Sequence, residues 1–275
     1  VLNGQEIRIP VQAAYYQGIP LKGGKVSYTI TRSQLFFQPM QGRWWNDWYS
    51  FTTDDNAECY WYCRQEGGSE SIQNGEAVLD DKGNFVITLP ASLTDYKTSA
   101  TYAVDVTVTD VNQRTVSSHL EFPVHKGEYY LGIRPDYSAG WQAATTDFEV
   151  VSVNIDGSAK PKANTTVKLY KRVWTTTKKT GTDGNSLVEW QKNDTLLDTK
   201  PLTTDGEGKG RLSFTVTNDG EYVAVIEARD SRGQLISASA SRYVYRGNGD
   251  SVRVSDDHQM KIIQNKASYD VGDTA

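Results

Sequence analysis

"YAVDVTVTDVNQRTVS", residues 102–117, alternates apolar and polar residues on either side of an Asp-led turn, and it returns as "YVAVIEARDSRGQLIS", residues 222–237. Side chains that alternate with period 2 put one face of each strand on a core and the other on solvent, so each stretch reads as an antiparallel hairpin. The match extends in register: Tyr102 with Tyr222, Asp110 with Asp230, Ser117 with Ser237, Val124 with Val244 and Gly127 with Gly247. Upstream, "GGKVSYTITR" and "LDDKGNFVITLP" have counterparts in "NTTVKLYKRV" and "TTDGEGKGRLSFTV". A repeat of this length makes the chain two copies of one unit, each with about seven strands.

Outside the repeat the chain has the same grammar. Runs such as "TVSSHLEF" and "NFVITL" are bounded by Gly, Asn and Asp turns, and no stretch has the spacing of an amphipathic helix. The expected fold class is all-β, with tandem immunoglobulin-like antiparallel sandwiches. The units are expected at 1–127 and 128–247. Residues 248–275 read as a polar linker and the first strand of a truncated third unit, because "SYDVGDTA" echoes the turn in "AAYYQGIPLKGG" at 13–24.

The 275 residues carry a net charge of −5 with acids and bases interspersed, which offers no basic face to nucleic acid. No apolar run approaches the roughly 18 residues of a membrane helix. No initiator Met or signal peptide is present, so the sequence is expected to be a piece of a longer protein.

Candidate chemistry is sparse. In "TVSSHLEF", Val116, Ser118, Leu120 and Phe122 are expected on the inner face of a strand and His119 outside with Ser117 and Glu121, a solvated histidine. His125 and His258 have no partners at metal-ligand spacing, and no strained nucleophile turn occurs, so no catalytic residue, metal site or cofactor is expected and the chain is read as no enzyme. The acidic turns "DDKGN" and "TDGEGKG" read as turns; an EF-hand register over 205–216 would end in Val216 where a bidentate Glu is needed. Asn164 and Asn193 open glycosylation tripeptides of chance frequency.

The densest feature is "RWWNDWYSFTTDDNAECYWYC", residues 43–63, with four of the seven tryptophans and both cysteines. Trp44, Trp45, Trp48, Tyr49 and Trp61 form a candidate contact patch, against the plainer reading of rings packed within their hairpin or on a neighbouring domain. If extended, Cys59 and Cys63 would sit roughly 13 Å apart, beyond the reach of a bond that spans under about 7 Å. A Cys59–Cys63 disulfide therefore needs a turn, and two free thiols remain open.

The order Y-x-G-x-P-L at Tyr16–Leu21, leading to K-V-x-Y-x-I-x-R at Lys25–Arg32, the D-x-x-G-x-F turn at Asp80–Phe85 and Y-D-V-G-D-T-A at Tyr269–Ala275 resemble macroglobulin domains of bacterial α2-macroglobulins upstream of the bait-region domain. The second copy lacks the Tyr-x-Gly opening. The resemblance implies a broad-spectrum endopeptidase inhibitor that traps proteases after bait cleavage, with an extracytoplasmic address, in the periplasm or on the cell surface, and a lipid anchor in the parent. Its partners would be the other domains of the parent chain and the target proteases. The thioester motif of that family does not surround Cys59 or Cys63, so these residues would be scaffold. The alternative is an adhesion or glycan-binding tandem that uses the aromatic hairpin at 36–62.

Overall fold

The computed structural model describes residues 1–37, 39, 49–53, 68–94, 96, 98–138, 145–180, 186–245 and 253–254. Fourteen strands and no helix occur among them. The first half contributes β1 (Glu6–Gln12), β2 (Lys25–Gln34), β3 (Glu70–Val78), β4 (Asn84–Pro90), β5 (Ala100–Thr109) and β6 (Thr115–Val124). The second contributes β7 (Tyr129–Asp136), β8 (Thr145–Asn154), β9 (Asn164–Thr180), β10 (Ser186–Thr203), β11 (Lys209–Thr215), β12 (Gly220–Arg229) and β13 (Leu235–Val244). The two-residue β14 (Arg253–Val254) follows.

These strands build two antiparallel sandwiches. In the first, β1–β4 faces the four-stranded sheet β3–β2–β5–β6; in the second, β7–β8–β11 faces β10–β9–β12–β13. Alternation does what the sequence pattern requires: Tyr102, Val104, Val106 and Val108 of β5 point inward against Ile7, Ile9 and Ile87. In the second core Tyr222, Ala224, Ile226 and Ala228 of β12 meet Leu131, Ile133, Phe148 and Val150. Each such branched side chain taken from water stabilises the fold by roughly 1.5–3 kcal/mol.

The repeat is visible in hydrogen bonds. Asp80, Asp110, Asp205 and Asp230 each use Oδ1 to accept two backbone N–H groups at i+2 and i+4, over 2.8–3.0 Å. The two acidic turns once open to a calcium reading are held by these bonds. Gly83 (φ +74) and Gly208 (φ +73) occupy equivalent left-handed positions, where a Cβ would fall on the carbonyl oxygens of Ala13 and Ser152. The repeat mates Tyr102 and Tyr222 both tie their hydroxyls to upstream carbonyls, Ser92 at 2.9 Å and Asn218 at 2.6 Å.

Three features depart from expectation. The first sandwich has six strands among the described residues, because nothing there corresponds to β7. As a consequence the inner face of β6 is uncovered over its first part, where Val116 is 74% and Leu120 47% exposed, while Phe122 and Val124 still pack on the core. Third, within the stretch read as a linker, Arg253–Val254 pairs in parallel with Trp174–Thr175 of β9. Residues 255–275, with His258, lie outside the described residues.

Candidate interface between the two sandwiches

The two sandwiches meet through a segment that belongs by sequence to the first and by hydrogen bonding to the second. After β2 ends, the Leu35 N–H donates to the Ser99 carbonyl at 2.9 Å, which starts the chain toward the second sandwich. Phe37 then stacks on Tyr130 of β7, with ring centroids 3.6 Å apart and planes 7° from parallel, and meets Phe51 edge-on at 5.3 Å. Ser50 and Ile133 exchange backbone bonds of 2.9 and 3.0 Å, so residue 50 pairs with the open edge of β7. The Ser239 N–H on β13 donates to the Thr52 carbonyl at 3.0 Å. Since β7 and β13 lie in opposite sheets, Ser50–Thr52 ties the two sheets together across their open side.

Side chains reinforce this crossing. Tyr49 donates its hydroxyl to Glu149 Oε2 at 3.3 Å and lies under the Arg134 guanidinium, 4.7 Å from the ring centroid. Arg134 Nε also donates to Glu149 at 2.9 Å, so one carboxylate serves a ring hydroxyl and a cation. Gly132 is needed by proximity: a Cβ there would stand 2.7 Å from Phe51 Cε1. Between the sandwiches remains a cavity of about 40 Å³, too small for a ligand, bordered by Phe37, Phe51, Tyr130 and Ile236.

The covalent connection, residues 125–128, is equally tied down. His125 is buried and bonds the Tyr130 hydroxyl through Nδ1 at 2.8 Å; that hydroxyl donates to Ser99 Oγ, also at 2.8 Å. Burial, with the nearby Val1 ammonium adding to it, holds the imidazole down to about 4, and burial pushes the Tyr130 phenol up to about 12. Gly127 packs so closely on Ile236 that a Cβ would come within 2.6 Å of it. On the outer side, Glu128 accepts from Ser231 Oγ at 2.6 Å, and Arg232 donates to the Asn3 carbonyl at 2.9 Å. The β12–β13 turn of the second sandwich therefore grips the start of the first.

Of the candidate patch, Tyr49 is half-buried in this interface. Trp44, Trp45, Trp48 and Trp61 lie outside the described residues, as do Cys59 and Cys63. His119 is exposed and bonded to Asp105 at 2.8 Å and Glu121 at 3.3 Å; donating to the Asp105 carboxylate, and next to that of Glu121, raises its pKa. Among the described residues no group of three or more His, Cys, Asp or Glu side chains converges to hold a metal. No helix among them is long and apolar enough to cross a membrane. Phe37 and Phe51 fall in the aromatic stretch 36–62 that the sequence marks out, but sequence reading did not single out Tyr130 or Arg134; the available signal was "EYYLGIRP" after Gly127, aromatic and without a counterpart in the first copy.

Residues 132–244 match the profile of bacterial macroglobulin domain 6. Over its whole length the chain also aligns with an α2-macroglobulin homolog of Nostoc sp., at 23% identity across 280 residues, covering 99% of this chain and 14% of that protein. Along its whole length the chain is thus similar to a bacterial α2-macroglobulin homolog, and its second sandwich to macroglobulin domain 6. The native conformation of Escherichia coli α2-macroglobulin shares its fold at a TM-score of 0.57 and 16% identity, over 99% of this chain and 17% of that one. Salmonella α2-macroglobulin reacted with methylamine does so at 0.53 and 15%, over 89% and 16%. In macroglobulin terms, the Phe37–Tyr130 stack and the Ser50–Ile133 pairing join the domain matched as domain 6 to the sandwich before it.

Proposed function

We propose that the chain is a non-catalytic scaffold segment of an α2-macroglobulin-like inhibitor that traps broad classes of endopeptidase after cleavage of a bait segment. On this reading residues 1–127 and 128–247 are successive macroglobulin domains and 248–275 open a third. The parent acts outside the cytoplasm, in the periplasm or at the cell surface. Its other domains are this segment's constant partners and proteases its targets. The observation that supports a scaffold role is the crossing of Ser50–Thr52 from the first sandwich onto both sheets of the second, which makes the pair a stiff spacer. The adhesion or glycan-binding alternative draws no support from Phe37, Tyr49 or Phe51, which are engaged in the interface.

The test compares this 275-residue chain with its full-length parent, using one protease offered a large protein substrate and a small peptide substrate. The parent is expected to spare the large substrate while leaving peptide hydrolysis intact, and the fragment to change neither rate. Inhibition by the fragment alone, or a parent that blocks both substrates equally, overturns the proposal.

A further inference from the structure

The hairpin tip between β1 and β2 and the tip between β8 and β9 share one backbone. In the first, the Tyr15 N–H donates to the Ile19 carbonyl at 2.8 Å, the Gly18 N–H to that of Tyr15 at 2.8 Å and the Leu21 N–H to that of Ala13 at 3.0 Å. In the second, the Asn154 N–H donates to the Ser158 carbonyl at 2.8 Å, the Gly157 N–H to that of Asn154 at 2.9 Å and the Lys160 N–H to that of Ser152 at 2.8 Å. The bridges Ala14–Pro20 and Val153–Ala159 close the two tips, and Gly18 and Gly157 have φ of +80° and +85°. Tyr16 and Ile19 are therefore the mates of Ile155 and Ser158.

The side chains on this common frame differ. The second tip is clasped by polar groups: Asn154 Nδ2 donates to Ser158 Oγ at 2.9 Å, and Asp156 Oδ1 accepts from the Ser158 N–H at 2.9 Å and from its hydroxyl at 2.6 Å. In the first tip those positions hold Tyr15, Gln17 and Ile19, and no residue from Ile9 to Leu21 is charged. Tyr16 is fully exposed and Ile19 is 58% exposed. This exposure belongs to the tip itself, because Ile155 and Ser158 are exposed too, although β7 and a neighbouring sandwich are both present beside them. The second tip shows that the turn folds without apolar side chains; the first displays two of them to solvent at the end of its sandwich.

We infer that the β1–β2 tip is a peripheral lipid-contact site, whose Tyr16 and Ile19 enter the interfacial layer of a phospholipid bilayer. The two side chains offer roughly 300 Å² of apolar surface, well below the about 800 Å² that a stable interface takes from each protein partner. A lipid surface accepts such isolated side chains without a matching shape, and a tyrosine suits its boundary, with the ring toward the acyl chains and the hydroxyl among the headgroups. The N–H groups of Tyr15, Gly18 and Leu21 are already spent inside the hairpin, which lowers the cost of taking the tip out of water. Lys22, the first charge after the tip, pairs with the exposed Asp81 at 2.9 Å, so the nearest cation comes with its own counter-charge. With a net charge of −5 on the chain, attraction to anionic headgroups is not what draws it in.

The test places the 275-residue chain with phosphatidylcholine bicelles that carry a nitroxide-labelled lipid and reads amide relaxation by NMR. The amides of Gln17, Gly18 and Ile19 are expected to relax at least about threefold faster than those of Asp156, Gly157 and Ser158, and to do so still in about 0.5 M salt, because the contact is apolar. Tyr16→Ser with Ile19→Ser should abolish the difference and leave the urea midpoint unchanged, since both side chains are exposed; the comparison of the two tips in the unaltered chain stands without any variant. Equal relaxation at the two tips overturns the inference, as does an effect that survives in the double variant or one that salt removes. Broadening of Gln17–Ile19 that grows with protein concentration in the absence of lipid overturns it as well, since a second copy would then be what the tip meets.

Discussion

Replacing Phe37 by Ala should loosen the contact between the sandwiches while leaving each core intact. The half-buried ring removes about 100 Å² of apolar surface from water, worth roughly 2.5 kcal/mol at 25 cal/mol per Å² as an upper bound. Its stack on Tyr130 and edge contact with Phe51 add about 0.5–1.5 kcal/mol. Because Ala keeps part of the contact and the cavity partly collapses, the net loss should be about 2–3 kcal/mol. The loss falls on the crossing segment, since Phe37 and Phe51 come from the first sandwich and Tyr130 from the second. Native-state hydrogen exchange reads this directly: the Ser50 and Ile133 amides, which bond each other's carbonyls, should exchange about 30- to 150-fold faster. Amides of Val104 in β5 and Ala224 in β12 should change less than about threefold on the same scale, because neither core loses a contact. A variant in which the core amides accelerate as much as Ser50 and Ile133, or in which neither set moves, refutes the reasoning.

Acid should weaken the connection through His125. Its folded-state pKa is held down to about 4 from 6.5, so the native state binds its proton later than the unfolded chain. The stability this confers is complete above about pH 6.5 and is lost as pH falls toward 4, by roughly 2–3 kcal/mol. Urea midpoints between pH 7 and 4 should therefore fall more steeply for the parent chain than for His125→Gln. Gly83→Ala should cost about 1–3 kcal/mol more than Gly18→Ala in thermal unfolding, because both glycines have positive φ but only at Gly83 would the Cβ meet backbone. Arg172 is 2% exposed and paired with Asp194 through two bonds of 2.8 Å, so Asp194→Ala should destabilise the second sandwich by about 3 kcal/mol by chemical denaturation; Arg172→Met with Asp194→Leu should recover much of that.

Much of this architecture was legible because local rules and tertiary demands coincide. In β5 and β12 every second residue is apolar, and the Asp at the end of each supplies its own turn by accepting two backbone bonds, so the hairpin needs no outside information. The contact between the sandwiches was not legible in that way. Aromatic residues near 36–62 are equally compatible with cross-strand pairs, a ligand platform or a domain contact; what separates these is which backbone edge lies opposite, and Ser50 meets Ile133 across 83 positions of sequence. His125 looked unremarkable for the same reason, since its burial depends on Tyr130 and Ser99 converging from different strands.

The exposed inner face of β6 carries the more general point. Alternation records which side of a strand is apolar, and Val116 and Leu120 are correctly placed on the core side; it does not record whether anything stands opposite. In the second copy the missing cover arrives twice, from β7 over the face and from Ser50–Thr52 across the edge, and the latter belongs to the preceding unit. The second sandwich is thus closed partly by chain that precedes it, so its stability cannot be assigned to its own residues alone. Coupling of this nearest-neighbour kind makes the opening of one unit depend on the state of the unit before it. A perturbation at Phe37 or Gly127 would then be felt in the second sandwich without touching its core, which is the property a domain array needs if an event in one module is to be registered by the next.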